Sequence, residues 1–518
     1  MHQKILYLAV FFSGLTSLAV EMAASRLLGN YFGTSNLVWA SIIGLILIYL
    51  TAGYFLGGYW ADRSPHLTTF FQILAWGGFG IGIIPIAARP VLRFAASAFD
   101  ELQVGVLLGS FVAVLILFLI PVTLLGTASP FAIRLAIVDP RQAGRTSGVL
   151  YGISTLGSFI GTFLPVLVLI PTIGTYRTFM VISLLMLFVA LACLGVTSGW
   201  KRAAVYAWMP LIILVFIIIG NPGTDKTAQG MIYEGESAYN YIQVLQFGDT
   251  RVLRLNEGQG MHSLYNPQIV NFHGPWEQVL AAPFFNSAPY DPEKVKSMAI
   301  VGLAAGTTAR EASAVFPGIQ IDGFEIDPKI VQVGRQYFDM NEPGLNVIVQ
   351  DGRVGLEHSR KHYQVISVDA YRPPYIPYHM TTQEFFQACY DHLTQDGVLV
   401  INVGRSPNDR RLVDAFASTI GAVFPSVYVM DIPDTFNSMI YATMQPTTVA
   451  NLDTNLVNLN QRGNTHPLLL ESLQTALANL QPAPAKGQIF TDDLAPIEWV
   501  TNNMVVDFIL SGQMENLQ

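Results

Sequence analysis

At 518 residues the chain is too long for one ordinary domain and sufficient for two or three. Apolar residues make up 51% of it and charged ones 12%, about half the usual charged share of soluble proteins. A net charge of −8 without a basic stripe excludes a nucleic-acid partner, and two distant cysteines, Cys193 and Cys389, exclude a disulfide framework.

The chain changes character near residue 222. Up to Gly220 it reads as apolar spans with few charges, over 5–27, 37–60, 69–88, 103–125, 148–170, 176–196 and 203–220. Most approach the ~20 residues needed to cross the hydrocarbon. Residues 1–222 are therefore expected to form a multi-pass domain whose partner is the lipid bilayer of the cell membrane. The first run continues through Val20 with further spans behind it, the pattern of a membrane helix rather than a cleavable signal. Gly53, Gly57, Gly58, Gly152, Gly157 and Gly161 are expected to let helices approach closely. Glu21 and Arg26 are ionisable groups at membrane depth, either a functional feature or a structural ion pair.

Lys4, Arg63, Arg134, Arg141, Arg145, Lys201 and Arg202 fall on one side of a seven-span arrangement, so the positive-inside rule favours a cytoplasmic N-terminus. Gly58-Tyr59-Trp60-Ala61-Asp62-Arg63 points the same way, because it resembles the cytoplasmic loop of major facilitator transporters. Seven crossings would put the soluble half outside, whereas Gly302, Gly306, Glu325 and Asp351, a pattern that would bind a nucleoside cofactor, argue for the cytoplasm. A short crossing or re-entrant helix at 127–138 would change the count. The cytoplasmic placement is the expectation carried forward.

Beyond Pro222 the pattern is that of a soluble α/β domain: a small β-region over 231–275, a Rossmann-like domain over 276–450 and a C-terminal extension over 451–518. Runs 239–247 and 251–255 flank the turn signal Gly248-Asp249 and predict a hairpin. Strands are expected at 297–303, 319–325, 347–350, 364–368 and 398–403, with helices over 308–315 and 328–338. That alternation implies a doubly wound, mostly parallel sheet, which binds ligands at the C-terminal ends of its strands.

Four of those ends carry the chemistry. Gly302 and Gly306 turn the first strand into a helix, letting backbone approach a ligand at a helix N-terminus. Glu325 ends the second strand about twenty residues on, where an acid binds ribose hydroxyls. Asp351 follows the third strand, positioned to accept from an adenine amino group, with Gly352 giving room; Asp-Gly is equally a turn signal. Asp369 ends the fourth strand, beside the cofactor's reactive carbon.

Together these residues resemble the spermidine synthase (polyamine aminopropyltransferase) family over about 231–441. The membrane half resembles the facilitator-type domain fused to that enzyme in some bacteria. The resemblance implies aminopropyl transfer from decarboxylated S-adenosylmethionine to a small-molecule amine such as putrescine. It also implies release of methylthioadenosine, no metal, and assembly as a homo-oligomer. By position, Gly302 and Gly306 match the family's glycine loop, Glu325 its ribose-binding acid, and Asp351 and Gly352 its adenine site. Asp369 matches the catalytic aspartate and Pro373 the proline that follows it against the nucleoside. Ser237-Ala238-Tyr239-Asn240 resembles the Ser-x-Tyr-Gln segment, which puts Asn240 at the cofactor and Tyr239 at the substrate. Leu255-Asn256-Glu257-Gly258 resembles the strand leading into the amine pocket, with His262 or Gln259 near its glutamine. Tyr239 and Tyr371 are expected to shape that pocket or to hydrogen-bond the aspartate.

The chain also departs from the family. Ala305 stands where the glycine loop carries an aspartate, and Arg372 where the catalytic segment carries its second acid. Of the acids preceding the amine pocket, Glu277 keeps the last. An arginine near an ammonium costs on the order of 1–4 kcal/mol at ~4 Å, so the acceptor is open while the donor site is kept. Asp492 or Asp493, in the acidic segment 490–498, would compensate by folding over the pocket; the alternative is a solvated cap before a C-terminal helix. Two rival functions remain: a methyltransferase using S-adenosylmethionine itself, and a transporter or sensor gated by a nucleoside or polyamine.

Overall fold

The computed structural model describes residues 2–32, 36–102, 106–219, 228–256, 260–371, 375–406 and 408–510. Its chain divides into two units, Met1–Thr227 and Ala228–Gln518.

The first unit is helical. Helices His2–Phe32, Asn36–Arg63, Leu67–Leu102 and Val106–Gly126 correspond to the first four expected spans. A nine-residue helix, Ala128–Ala136, occupies the segment expected to be short or re-entrant. The expected spans 148–170 and 176–196 follow one another with a kink between them. Pro165 lacks the N–H of an α-helical bond, and the chain passes it through a π-helical turn, Pro165–Leu169. The break comes between the two expected spans, at Gly174, whose φ of 79° no L side chain adopts easily. The last expected span shrinks to a 12-residue helix, Trp208–Ile219, short of a full crossing. Five segments among the described residues are long and apolar enough to span a bilayer.

Backbones in this unit meet closely at glycine. A Cβ on Gly157 would sit 2.0 Å from the Phe11 carbonyl oxygen, and one on Gly161 2.1 Å from that of Leu15. Gly58 and Gly152, expected to do the same, face open space. The exterior is apolar: Phe55, Ile120, Leu167 and Phe188 are 68–77% exposed, a surface compatible with lipid. Asp62 pairs with Arg134 at 2.9 Å, and Glu21 and Arg26 are half-buried on the first helix.

The second unit holds two sheets. Strands β1 (Met231–Glu236), β2 (Tyr241–Phe247), β3 (Thr250–Leu255) and β4 (Met261–Tyr265) form an antiparallel sheet in sequence order. The larger sheet contains β5 (Ser297–Val301), β6 (Gln320–Glu325), β7 (Leu345–Val349), β8 (Tyr363–Val368), β9 (Leu393–Gly404), β10 (Ser426–Asp431) and β11 (Asn437–Thr443). Its order is β10-β11-β9-β8-β5-β6-β7, with β7 through β9 parallel and the last two antiparallel. Near-continuous burial along β5, β6 and β8 is what a parallel sheet covered on both faces requires. The order reverses between β5 and β8, so a crevice opens at their carboxyl ends. The late helices belong to this fold: Leu452, Leu459, Leu468 and Leu473 join the core on one face, Ile497 and Met504 that on the other.

Candidate active site

A cleft of about 1190 Å³ lies over the carboxyl ends of β5, β6, β8 and β9. Its floor is the turn after β5. Gly302 has φ 94° and Gly306 φ 88°, and between them Ala304 sits at φ 49°. A Cβ on Gly302 would lie 2.6 Å from the Asp369 carbonyl oxygen, so only glycine fits where the turn crosses β8. Gly306 does not line the cleft; it caps the helix Thr307–Val315 that the turn starts.

Glu325 is buried at the end of β6. Its carboxylate accepts the N–H of Ala304 at 2.9 Å and that of Asp327 at 3.0 Å. Burial pushes its pKa up to about 7, a rise that these N–H groups oppose. It therefore holds the glycine turn as well as facing the cleft.

Asp351 caps the helix Gly352–Glu357 through the Val354 N–H, 3.1 Å. Its other oxygen lies 3.0 Å from His379 Nε2, and that contact, first among the causes, holds its pKa below the ordinary range. Gly352 is required by packing, since a Cβ there would meet Val301 at 2.5 Å.

Asp369, just beyond β8, accepts a 3.0 Å hydrogen bond from Asn402 Nδ2 on β9. Burial raises its pKa to about 7 while Asn402 opposes the rise. The Asn402 Oδ1 is buried without a partner among the described residues. Tyr371 does not bond the aspartate: its hydroxyl accepts from the Gly404 N–H at 2.9 Å and donates to the Asn402 carbonyl at 3.2 Å.

The antiparallel sheet supplies the opposite wall. Tyr239 is 44% exposed at the cleft's edge. Asn240 is buried, giving its amide to Asp327 at 2.9 Å and taking that of Asn256 at 2.9 Å. Asp327 also accepts from Ser237 Oγ at 2.5 Å and caps the helix Pro328–Tyr337, so it ties the two sheets together beside Glu325. His262 lines the cleft with Nε2 unpartnered among the described residues, and burial lowers its pKa to about 4.

Other expected residues lie elsewhere. Glu277 is fully buried outside the cleft, accepting the N–H groups of Phe272 and Gly274 as the acid of a helix-start box. Neither Asp492 nor Asp493 lines the cleft; Asp492 forms a bidentate pair with Arg353 at 2.7 and 2.8 Å. Arg372, Pro373 and Gln259 lie outside the described residues. Sequence reasoning missed His379, Asn402, Arg405 and the bridging role of Asp327. Only Asp327 had a local signal, an acid directly before a helix-starting proline.

Residues 286–455 match the family described as spermine/spermidine synthase domain. The chain is 30% identical over 305 residues to a probable polyamine aminopropyl transferase of Bifidobacterium longum, covering 55% of this chain and 65% of that protein. It thus spans just under two thirds of that relative's length. It is 28% identical over 226 residues to the polyamine aminopropyltransferase of Vibrio vulnificus, covering 41% of this chain and 72% of that one. A crystal structure of a probable spermidine synthase from Corynebacterium glutamicum, 19% identical, aligns over 52% of this chain and 97% of that one with a TM-score of 0.40. The second unit therefore carries a segment similar to the spermine/spermidine synthase domain and to polyamine aminopropyltransferases.

Proposed function

We propose that the second unit transfers an aminopropyl group from decarboxylated S-adenosylmethionine to an amine and releases methylthioadenosine. The observation that carries this is Asp369: a half-buried carboxyl at the switch point, against the glycine turn, with a pKa raised to about 7 by desolvation. Such a group takes a proton from an alkylammonium, and the positive charges of donor and acceptor favour its ionised form on binding. Glu325 is assigned to the ribose and Asp351 to the adenine, with Gly302 allowing close approach. The sulfonium is a good leaving group, so the chain's task is to position a deprotonated amine behind the carbon. Methyl transfer shares only the fold with this reading.

The first unit is proposed to hold the enzyme at the cell membrane as a multi-pass domain in contact with lipid, with the second unit in the cytoplasm. The test is Asp369→Asn in the full chain. Turnover is expected to fall by about 10²–10⁴-fold, with donor binding kept in a thermal-shift titration. Unchanged release of methylthioadenosine would remove Asp369 from the role.

A further inference from the structure

The sheet order lays the cleft out in a line. Asp351 and Glu325 belong to β7 and β6 on one side of Asp369, whereas Asn402, Arg405 and the Thr435–Asn437 turn belong to β9 and β11 on the other. If the nucleoside lies over the first side, the acceptor lies over the second. Among the described residues lining that second side there is no carboxylate other than Asp369 itself. There is a guanidinium: Arg405 follows β9, lines the cleft and is only 14% exposed.

The charge of Arg405 is only partly neutralised locally. Its nearest acid, Asp431, lies 3.4 Å from Nε and is also bound by Arg410 at 2.6 Å and by Ser438 at 2.6 Å. Two guanidiniums thus share one carboxylate, which leaves the cluster positive. Arg405 Nη2 donates to the Thr435 carbonyl at 3.0 Å, and its buried Nε has no hydrogen-bond partner among the described residues. The far ammonium of a diamine would meet this cation with no carboxylate lining that side of the cleft to receive it. A planar fork of N–H donors suits a carboxylate or phosphate instead.

Building on the aminopropyl-transfer reading, we infer that the acceptor is a primary amine whose far end carries an oxyanion held by Arg405. The amine gives one proton to Asp369, and its lone pair forms the new N–C bond. The S–C bond breaks with its electron pair staying on the sulfur of methylthioadenosine, and the product is a secondary ammonium.

The experiment follows methylthioadenosine by mass spectrometry with the full chain in detergent and decarboxylated S-adenosylmethionine. The acceptors are putrescine, 4-aminobutyrate, which replaces one ammonium by a carboxylate, and 3-aminopropylphosphonate. At least one anionic acceptor is expected to exceed putrescine tenfold or more in kcat/KM, and which one does so separates carboxylate from phosphate recognition. Arg405→Gln should raise the KM for that acceptor at least tenfold and leave the donor's KM unchanged. Faster turnover of putrescine by the wild-type chain overturns the inference and keeps aminopropyl transfer; this ranking decides even if the variant does not fold. No methylthioadenosine from any of the three acceptors overturns both.

Discussion

Asn402→Ala tests the electrostatics of the site without touching the assigned base. The substitution removes the Nδ2–H that reaches Asp369 at 3.0 Å and leaves a carboxyl that burial already holds up at about 7. A hydrogen bond to a charged group contributes about 1.5–3 kcal/mol, which at 1.36 kcal/mol per unit is about one to two units of pKa. The shift is upward, because the lost bond favoured the charged form. The base works deprotonated, so kcat/KM rises with pH through its pKa, and the acid limb is expected to move from about 7 to about 8–9. At about pH 7 the variant should lose roughly 5- to 50-fold, and it should regain most of that above about pH 9. The assay is methylthioadenosine release across pH at limiting acceptor. A limb that stays in place, or a loss equal at every pH, would refute the argument and assign Asn402 to packing.

Glu325→Gln is expected to flatten the loss of stability with rising pH while weakening the donor site, with the amide's single carbonyl oxygen keeping one of the two N–H contacts. The pKa of Glu325 is raised in the folded state from 4.5 to about 7, so its contribution is fully present below the unfolded value and is lost as pH rises through about 7. At about pH 8 the loss is at most about 3 kcal/mol; thermal unfolding with and without donor should show a Tm that falls less than the wild type's between about pH 6 and about pH 8, and a smaller ligand shift. Asp327→Ala removes a helix cap and the acceptor that the Asn240 amide and Ser237 hydroxyl share. A loss of about 3 kcal/mol is expected, read from the denaturant midpoint, with early proteolysis of the β1–β4 region. A midpoint within error of the wild type would show that the two sheets do not depend on this acid.

The parts of the site legible in the sequence were those set by local pattern. The β-α alternation fixes strand ends, and Glu325 closes β6 while Asp369 follows β8, strands of the length a buried parallel sheet needs. What was not legible depends on lateral pairing. Asn402 and Arg405 sit in or after a strand whose neighbour is known only once Val368 is seen opposite Ile401. Nothing in the linear spacing of 369 and 402 announces a contact. Glu277 was misassigned because an acid in the first turn of a short helix is as often a cap as a ligand, and its partners are backbone groups without sequence identity. In the membrane unit the division expected between 170 and 176 falls at Gly174, whereas the last span, read as 203–220, shortens to Trp208–Ile219, because an apolar run does not show where its helix starts.

The Asn402–Asp369 contact has one further property. A primary amide is a donor at one end and an acceptor at the other, and a carboxyl that has gained a proton has a donor to offer. Turned over by 180°, the amide would present Oδ1, the atom now without a partner, to receive that proton's hydrogen bond. The same two side chains thus have two self-consistent arrangements that differ by one proton and one half-rotation. The site can accommodate both sides of a proton transfer by rotating a single amide, with its backbone unmoved.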